Sequence, residues 1–383
     1  MRYLSASLLS AAAMVFAAAP ATAQDDTQTR GVSADLQMRL NNSFIFVFDE
    51  SVSGDRVEGR AQALVNRVGG SLTHTYTAAI QGFTAKMNAT AAERLAANNP
   101  SIAYFEEDQP MFAVQGNGGG GGSSPPPQET PWGVNRVNGG VDATGLEAYI
   151  IDTGIDLDHD DLNVDASRSV NFVSKGPNNG GDDENGHGSH VAGSLGAIDN
   201  DIGVVGVAEN ATLISVRVLD RNGSGSLSDV IDGVDHVAAN ADAGDVANMS
   251  LGGGTSDSLD SAVENAADQG ILFSIAAGND SADAGNTSPA RVEHANVYTV
   301  SAMDDTDSFA SFSNFGNPPI ECAGPGVDVF STWKDNEFDF LSGTSMSAPH
   351  IGGILLVNSG DPNFDGNVND DPDGDPDPIC VVE

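Results

Sequence analysis

The stretch LEAYIIDTG at 146–154 decides the fold: an apolar run from Leu146 to Ile151 ends on Asp152 and turns at Thr153 and Gly154. A short apolar run bounded by turn residues reads as a buried strand. Similar runs recur from Leu213 to Leu219, Val246 to Met249, Ile271 to Ala276 and Val297 to Ala302, and amphipathic helices alternate with them. The clearest helix runs from Ser226 to Ala239. There Leu227, Val230, Ile231, Val234 and Val237 share one face, and Ser226 with Asp229 closes the start. Strand and helix in alternation imply an α/β fold around a mostly parallel sheet, with chemistry at the carboxyl ends of the strands. Asp152 stands at such an end.

Working outward, 383 residues leave room for more than one folded unit. The segment 42–113 reads as a small module of its own. Phe44 to Phe48 suggests a buried strand, Arg56 to Val68 a helix stopped by Gly69 and Gly70, and Thr73 to Met87 a strand pair. Thr90 with Glu93 forms a capping box for a short helix ending before Pro100, and Ile102 to Phe105 closes the module as a strand. Gly116 to Pro127 is a glycine run followed by serines and prolines, a spacer that cannot bury a core. The expected division is 1–23 signal peptide, 24–115 N-terminal module, 116–130 linker, 131–358 main domain and 359–383 acidic tail.

Residues 1–23 combine Arg2, an apolar run from Leu4 to Ala19 and an A-x-A site at Ala21 to Ala23, which directs export and implies secretion. No other run approaches the length of a spanning helix, so no membrane anchor is expected. The 55 acidic residues against 15 Lys and Arg give a formal charge of -40, which repels phosphate backbones and excludes nucleic acid as a partner. With only Lys86, Lys175 and Lys334 as lysines, most carboxylates must be solvated or meet cations. Cys322 and Cys380 allow one disulfide at most, and their spacing leaves open whether they pair.

Three segments carry chemistry-bearing residues. Asp152 at its strand end suits a group that orients an imidazole, although a lone Asp there is ordinarily a turn residue. NGHGSHVAG at 185–193 sets His187 between glycines at a helix start, where an imidazole can shuttle a proton. His187 and His190 are one helical turn apart, but no HExxH glutamate accompanies them as a zinc site would need. SGTSMSAPH at 342–350 places Ser345 at a glycine-marked turn into an apolar helix, whose amino end favours developing negative charge.

Taken together, in the order Asp, His, Ser, these segments resemble the subtilisin-like serine peptidases, with the likeness running from Pro131 to about Asn358. PWG at 131–133, NGSGS at 222–226 and SFSN at 311–314 resemble the proteinase K branch. The resemblance implies a three-layer fold and a secreted endopeptidase in which Ser345 attacks, His187 moves the proton and Asp152 holds the imidazole. Asn279, in AAGN at 276–279, then joins the oxyanion site. It also implies that Gly223, Ser224 and Gly225 on one side, and Ser250, Leu251 and Gly252 on the other, receive an extended peptide. Gly252, Ala277 and Gly278 then wall a pocket for large apolar side chains, hence broad specificity. The segment 42–113 resembles an inhibitor I9 prodomain, a ferredoxin-like module that acts as chaperone and inhibitor until self-cleavage between about Ala113 and Gln128. A monomer acting on proteins and peptides is expected.

IDNDIGV at 198–204 resembles the family's calcium loop, implying ligands from Ile198, Asn200, Ile202 and Val204 with Asp161 and Gln128. The carbonyls of Ala295 and Val297 with Glu321 lie where relatives hold a second cation. The chain after the serine helix is shorter than the pattern. Its acidic tail begins like an EF-hand loop at Asp361 but has Pro372 at the twelfth position, and disorder is expected. The short end and acidic surface also motivate an alternative, a pseudo-protease or calcium-dependent binding module.

Overall fold

The computed structural model describes residues 32–114, 122–173 and 180–383; the signal-peptide expectation and part of the linker lie outside them. The central sheet has nine strands in the order Asn363–Asn367, Pro378–Val381, Ile320–Pro325, Val297–Met303, Leu272–Ala276, Val246–Met249, Glu147–Asp152, Thr212–Arg217 and Val170–Asn171. Every pairing is parallel except that between the first two strands. Chain order reverses between Glu147–Asp152 and Val246–Met249, and a crevice opens beyond the strand ends at such a point.

Helices cover both faces. Leu227–Asn240 and Asp257–Ala267 pack on one side, with Ile151, Val216 and Phe273 in their core, and His187–Gly196 and Thr344–Val357 on the other, with Ile150, Leu213 and Ile351. Three layers result because each sheet face buries a row of aliphatic side chains, each contributing about 1.5–3 kcal/mol. Ser226 caps its helix by accepting the Asp229 N–H at 3.2 Å, as the sequence suggested.

The N-terminal module is a four-stranded antiparallel sheet in the order Ser71–Tyr76, Gly82–Lys86, Ser43–Phe48, Ile102–Glu107. Helices Gly54–Val68 and Ala89–Ala97 pack on it around Phe46, Val57, Phe83 and Leu95. The capping box is corrected: Asn88, not Thr90, caps the second helix by accepting the Ala91 N–H at 3.0 Å. A helix at Ala34–Leu40 and a strand at Pro110–Ala113 were missed in the sequence.

The expected disorder after Asn358 is also corrected. Asn363–Asn367 and Pro378–Val381 form a hairpin that extends the central sheet, and Cys380 is bonded to Cys322 beneath it. Buried Asp377 in the same hairpin accepts a hydrogen bond from the Ser301 hydroxyl. Closing a loop of 58 residues stabilises the fold by about 4 kcal/mol in the chain-entropy account.

Candidate active site

Asp152 is the last residue of strand Glu147–Asp152 and is fully buried. Its Oδ1 lies 2.8 Å from His187 Nδ1 and accepts the Thr153 N–H at 2.6 Å. A carboxylate on Nδ1 fixes the tautomer and leaves the other ring nitrogen as the working one. His187 Nε2 is buried and has no hydrogen-bond partner among the described residues.

His187 opens helix His187–Gly196, and the sequence gives no direct sign of how it is held there. Asp183 does it. Its carboxylate accepts the Asn185, Gly186 and Ser189 N–H groups at 2.8, 3.0 and 3.0 Å, and the Ser189 and Thr153 hydroxyls at 2.7 and 3.0 Å. The Thr153 hydroxyl in turn accepts the Gly188 N–H at 2.9 Å, tying the helix start to the Asp152 turn. Gly188 is required by this approach: a Cβ there would meet the Gly154 carbonyl oxygen at 2.0 Å. The one available signal was an acidic residue four positions before the helix.

Ser345 stands at the start of helix Thr344–Val357, behind Gly343. Its hydroxyl donates to the Val114 carbonyl and lies 3.1 Å from the Ser250 carbonyl. Asn279 faces the same point, with Nδ2 donating to the Val114 carbonyl at 3.1 Å. Its orientation is set by Thr344, whose N–H and hydroxyl donate to Asn279 Oδ1 at 2.9 and 3.0 Å, so that the amide nitrogen is turned outward. Thr344 was not singled out in the sequence.

The cleft is filled by the chain itself. Pro110–Ala113 is the middle strand of a three-stranded antiparallel sheet, between Ser224–Ser226 and Leu251–Gly253. Ala113 N–H donates to Gly223 O at 2.9 Å and Val114 N–H to Ser250 O at 3.1 Å. Both expected edges, Gly223 with Ser224 and Gly225, and Ser250 with Leu251 and Gly252, therefore border this strand. Ala277 and Gly278 are held by Asn314 and Thr344: Asn314 Nδ2 donates to Ala277 O at 2.9 Å, and Gly278 N–H donates to the Thr344 hydroxyl at 3.1 Å.

The residues expected to hold calcium also meet. Asp161 is buried, and burial pushes its carboxyl up to about 7. The Val204 N–H and Asn200 Nδ2 donate to it at 2.9 and 2.7 Å. Gln128 Oε1 accepts the Asn200 N–H at 2.6 Å. Gly203, with φ of +67°, allows a close approach of Asp161 and the Phe338 ring: a Cβ there would stand 2.3 Å from Asp161 Oδ2 and 2.3 Å from a Phe338 ring carbon. At the other expected position, burial pushes Glu321 up to about 8 while it accepts the Thr299 N–H at 2.7 Å. His190 lies apart from any such set, with Nε2 against the Val329 and Asp339 carbonyls, and burial with the nearby His187 charge lowers it to about 3.

The model of the subtilase family matches residues 148–367, and that of peptidase inhibitor I9 matches residues 21–113. Alkaline serine exoprotease A of Vibrio alginolyticus is 37% identical over 342 residues, covering 83% of this chain and 60% of that one. The subtilisin-like serine protease AsES of Sarocladium strictum is 34% identical, covering 90% of this chain and 86% of that one. The extracellular serine proteinase of a Thermus species is 40% identical, covering 78% and 71%. A crystal structure of a cold adapted subtilisin-like serine proteinase superposes with a TM-score of 0.59 at 38% identity, covering 66% of this chain and 98% of that one.

Proposed function

This chain belongs to the subtilase family of serine endopeptidases, and we propose that Asp152, His187, Ser345 and Asn279 are its catalytic residues in a secreted, self-cleaving precursor. One observation carries the reading: a peptide carbonyl, that of Val114, receives hydrogen bonds from both Ser345 Oγ and Asn279 Nδ2 at the end of a strand lying in the cleft. Asn279 Nδ2, a donor placed where that oxygen gains charge, would stabilise the tetrahedral state and lower the barrier to attack by Ser345 Oγ.

In the proposed reaction the Ser345 hydroxyl turns from the carbonyls to His187 Nε2, gives up its proton and adds to the peptide carbon. His187 returns the proton to the leaving amine. Water then repeats the sequence and frees the acid. Asp152 keeps Nδ1 protonated, and Asp183 holds the helix start in register with it. Gly252, Ala277 and Gly278 leave the pocket wide enough for large apolar side chains, hence broad specificity. The segment 24–115 acts as prodomain and inhibitor, 116–130 as linker and 131–358 as the peptidase body, followed by 359–383.

Calcium fits the loop at 198–204. Asp161, with the carbonyls of Ile198, Ile202 and Val204 and the amides of Asn200 and Gln128, would supply the all-oxygen set that this ion takes. It would serve as a structural clamp on the segment around Gln128, and no step of the reaction passes through it.

The test is a fluorophosphonate probe on the matured protein together with Ser345→Ala. Labelling of Ser345 with peptide turnover, and an uncut Ser345→Ala precursor, are expected. Efficient processing of purified Ser345→Ala would end the proposal, and a wild-type protein that folds but neither labels nor turns over would favour the binding-module reading. For calcium, chelation should lower the melting temperature by about 2–4 °C for each kcal/mol of linkage lost. An unchanged melting point removes the metal assignment alone.

A further inference from the structure

We infer that the bond this chain cuts in itself is the one between Val114 and Gln115, an inference that rests on the serine endopeptidase reading above. Among the described residues, the Val114 carbonyl is the one that receives both Ser345 Oγ and Asn279 Nδ2. Neighbouring bonds are placed elsewhere by the strand register. Phe112 stands opposite Ser224 and Gly252, and Met111 opposite Gly225 and Gly253, so a shift by one residue would turn each side chain to the opposite face. Met111 resists that shift because it is fully buried, with its sulfur 2.5 Å from where a Cβ on Gly253 would be.

Later bonds are held away by a second attachment. Ser123 exchanges both main-chain hydrogen bonds with Phe338, at 2.9 and 3.1 Å, and Gln128 N–H and Glu129 N–H donate to Asp201 O and Gly203 O at 3.2 and 2.9 Å. A bond from Ser123 onward reaches Ser345 only after these contacts break. The segment between the two attachments reads QGNGGGGG at 115–122, and the main-chain bonds of Val114 and of Ser123 are present together in the uncut chain.

The step balances as one hydrolysis. Ser345 Oγ bonds to the Val114 carbonyl carbon, the bond to the Gln115 nitrogen breaks, and His187 delivers the serine proton to the departing amine. One water then releases the Val114 carboxylate and restores Ser345. The new carboxylate stays beside Asn279, and the mature chain starts with Gln115, which moves the end of the 24–115 segment back by one residue, to Val114. A terminal glutamine cyclises with loss of ammonia, which blocks amine-based sequencing, so intact mass is the readout of choice.

The full precursor is purified, and its first fragments are weighed over time while turnover of a short chromogenic peptide is followed. The expected pair is a fragment ending in Val114 and one starting at Gln115, free or cyclised. A first pair meeting at any other bond, in a protein that turns over peptide, overturns the inference and leaves the endopeptidase reading intact. A folded precursor that stays whole and turns over nothing overturns both. Val114→Asp should slow this first cut by about tenfold or more, by setting a charge in the apolar pocket, whereas Ser124→Asp should leave it unchanged. A first cut equally fast in Val114→Asp overturns the assignment even where trimming has obscured the ends.

Discussion

The N-terminal module holds the peptidase body through two regions built on different principles. In the cleft, Pro110 to Val114 docks by main-chain hydrogen bonds of a strand, with Met111 as its buried anchor. On the helix face, docking runs through ionisable side chains. Glu106 accepts the Ser258 N–H at 3.1 Å and the Ser256 hydroxyl at 2.8 Å, and Asp108 accepts the Ser228 N–H at 3.1 Å and its hydroxyl at 2.7 Å, each at a helix start. Asp235 accepts the N–H groups of Thr77, Ala78 and Ala79 at 2.8–3.0 Å. Arg39 pairs with Asp229, and His74 with Asp232. Peptide groups do not titrate in the ordinary pH range, whereas carboxylates do so at about pH 4 and imidazole at about 6.5. The cleft contact therefore sets where the chain lies, and the helix face makes how tightly it is held depend on pH.

The largest expected effect breaks the cleft side. Met111→Asp puts a carboxylate into an apolar cluster and should weaken inhibition by the cut, noncovalently held module about 100-fold or more. Residual peptidase activity after dilution measures it, and unchanged inhibition would show that the strand adds little to affinity. Next is Asp235→Ala, which leaves the Thr77, Ala78 and Ala79 N–H groups without their acceptor and should cost about 1–3 kcal/mol, or about 5- to 150-fold, in the same assay. A loss under twofold would put the weight on the strand instead.

The smallest effect sharpens the contrast by pH. Burial disfavours the charged form of His74, but the hydrogen bond and charge of Asp232, with Asp229 and Asp108 behind, outweigh it and raise its pKa above 6.5. A group raised on docking contributes full affinity below about 6.5 and loses it as pH climbs through the docked value. Asp229, pushed up to about 6 by burial despite Arg39 and His74, acts in the same direction, because it holds a proton more readily docked than free. Asp232, also raised by burial, adds to this, and Tyr76, raised well above 10, stays neutral throughout. Affinity should therefore fall as pH rises, between about 4 and 6 through Asp229 and above about 6.5 through His74, by at most about tenfold per pH unit for each proton released. His74→Gln should flatten the upper part of that fall. A pH profile identical in wild type and His74→Gln would remove His74 from the mechanism.

Much of this arrangement was legible in the sequence because it rests on local rules. Apolar runs marked five of the nine strands of the central sheet to within a residue or two, and Ser226 with Asp229 marked its helix start. What escaped depended on partners distant in the chain. Pro110–Ala113 is a strand only because Ser224–Ser226 and Leu251–Gly253 lie on either side of it. The capping residue went to Asn88 over Thr90 because two competent caps stood two residues apart and only the incoming strand chose between them. The acidic end read as unstructured, since its charge hides a hairpin fixed by Ile320–Pro325, the Cys322–Cys380 bond and buried Asp377.

By itself, the sequence determined the alternation of strand and helix, the three segments bearing Asp152, His187 and Ser345, and hence the family, because backbone periodicity and reactive side chains are written locally. Only the tertiary structure decided that Val114 meets Ser345, that Asp183 holds the helix start at His187 and Thr344 orients Asn279, and that acidic side chains clasp the module to the body. Those contacts join residues far apart in the chain, and no local preference encodes which of many compatible partners packing will bring within hydrogen-bond reach.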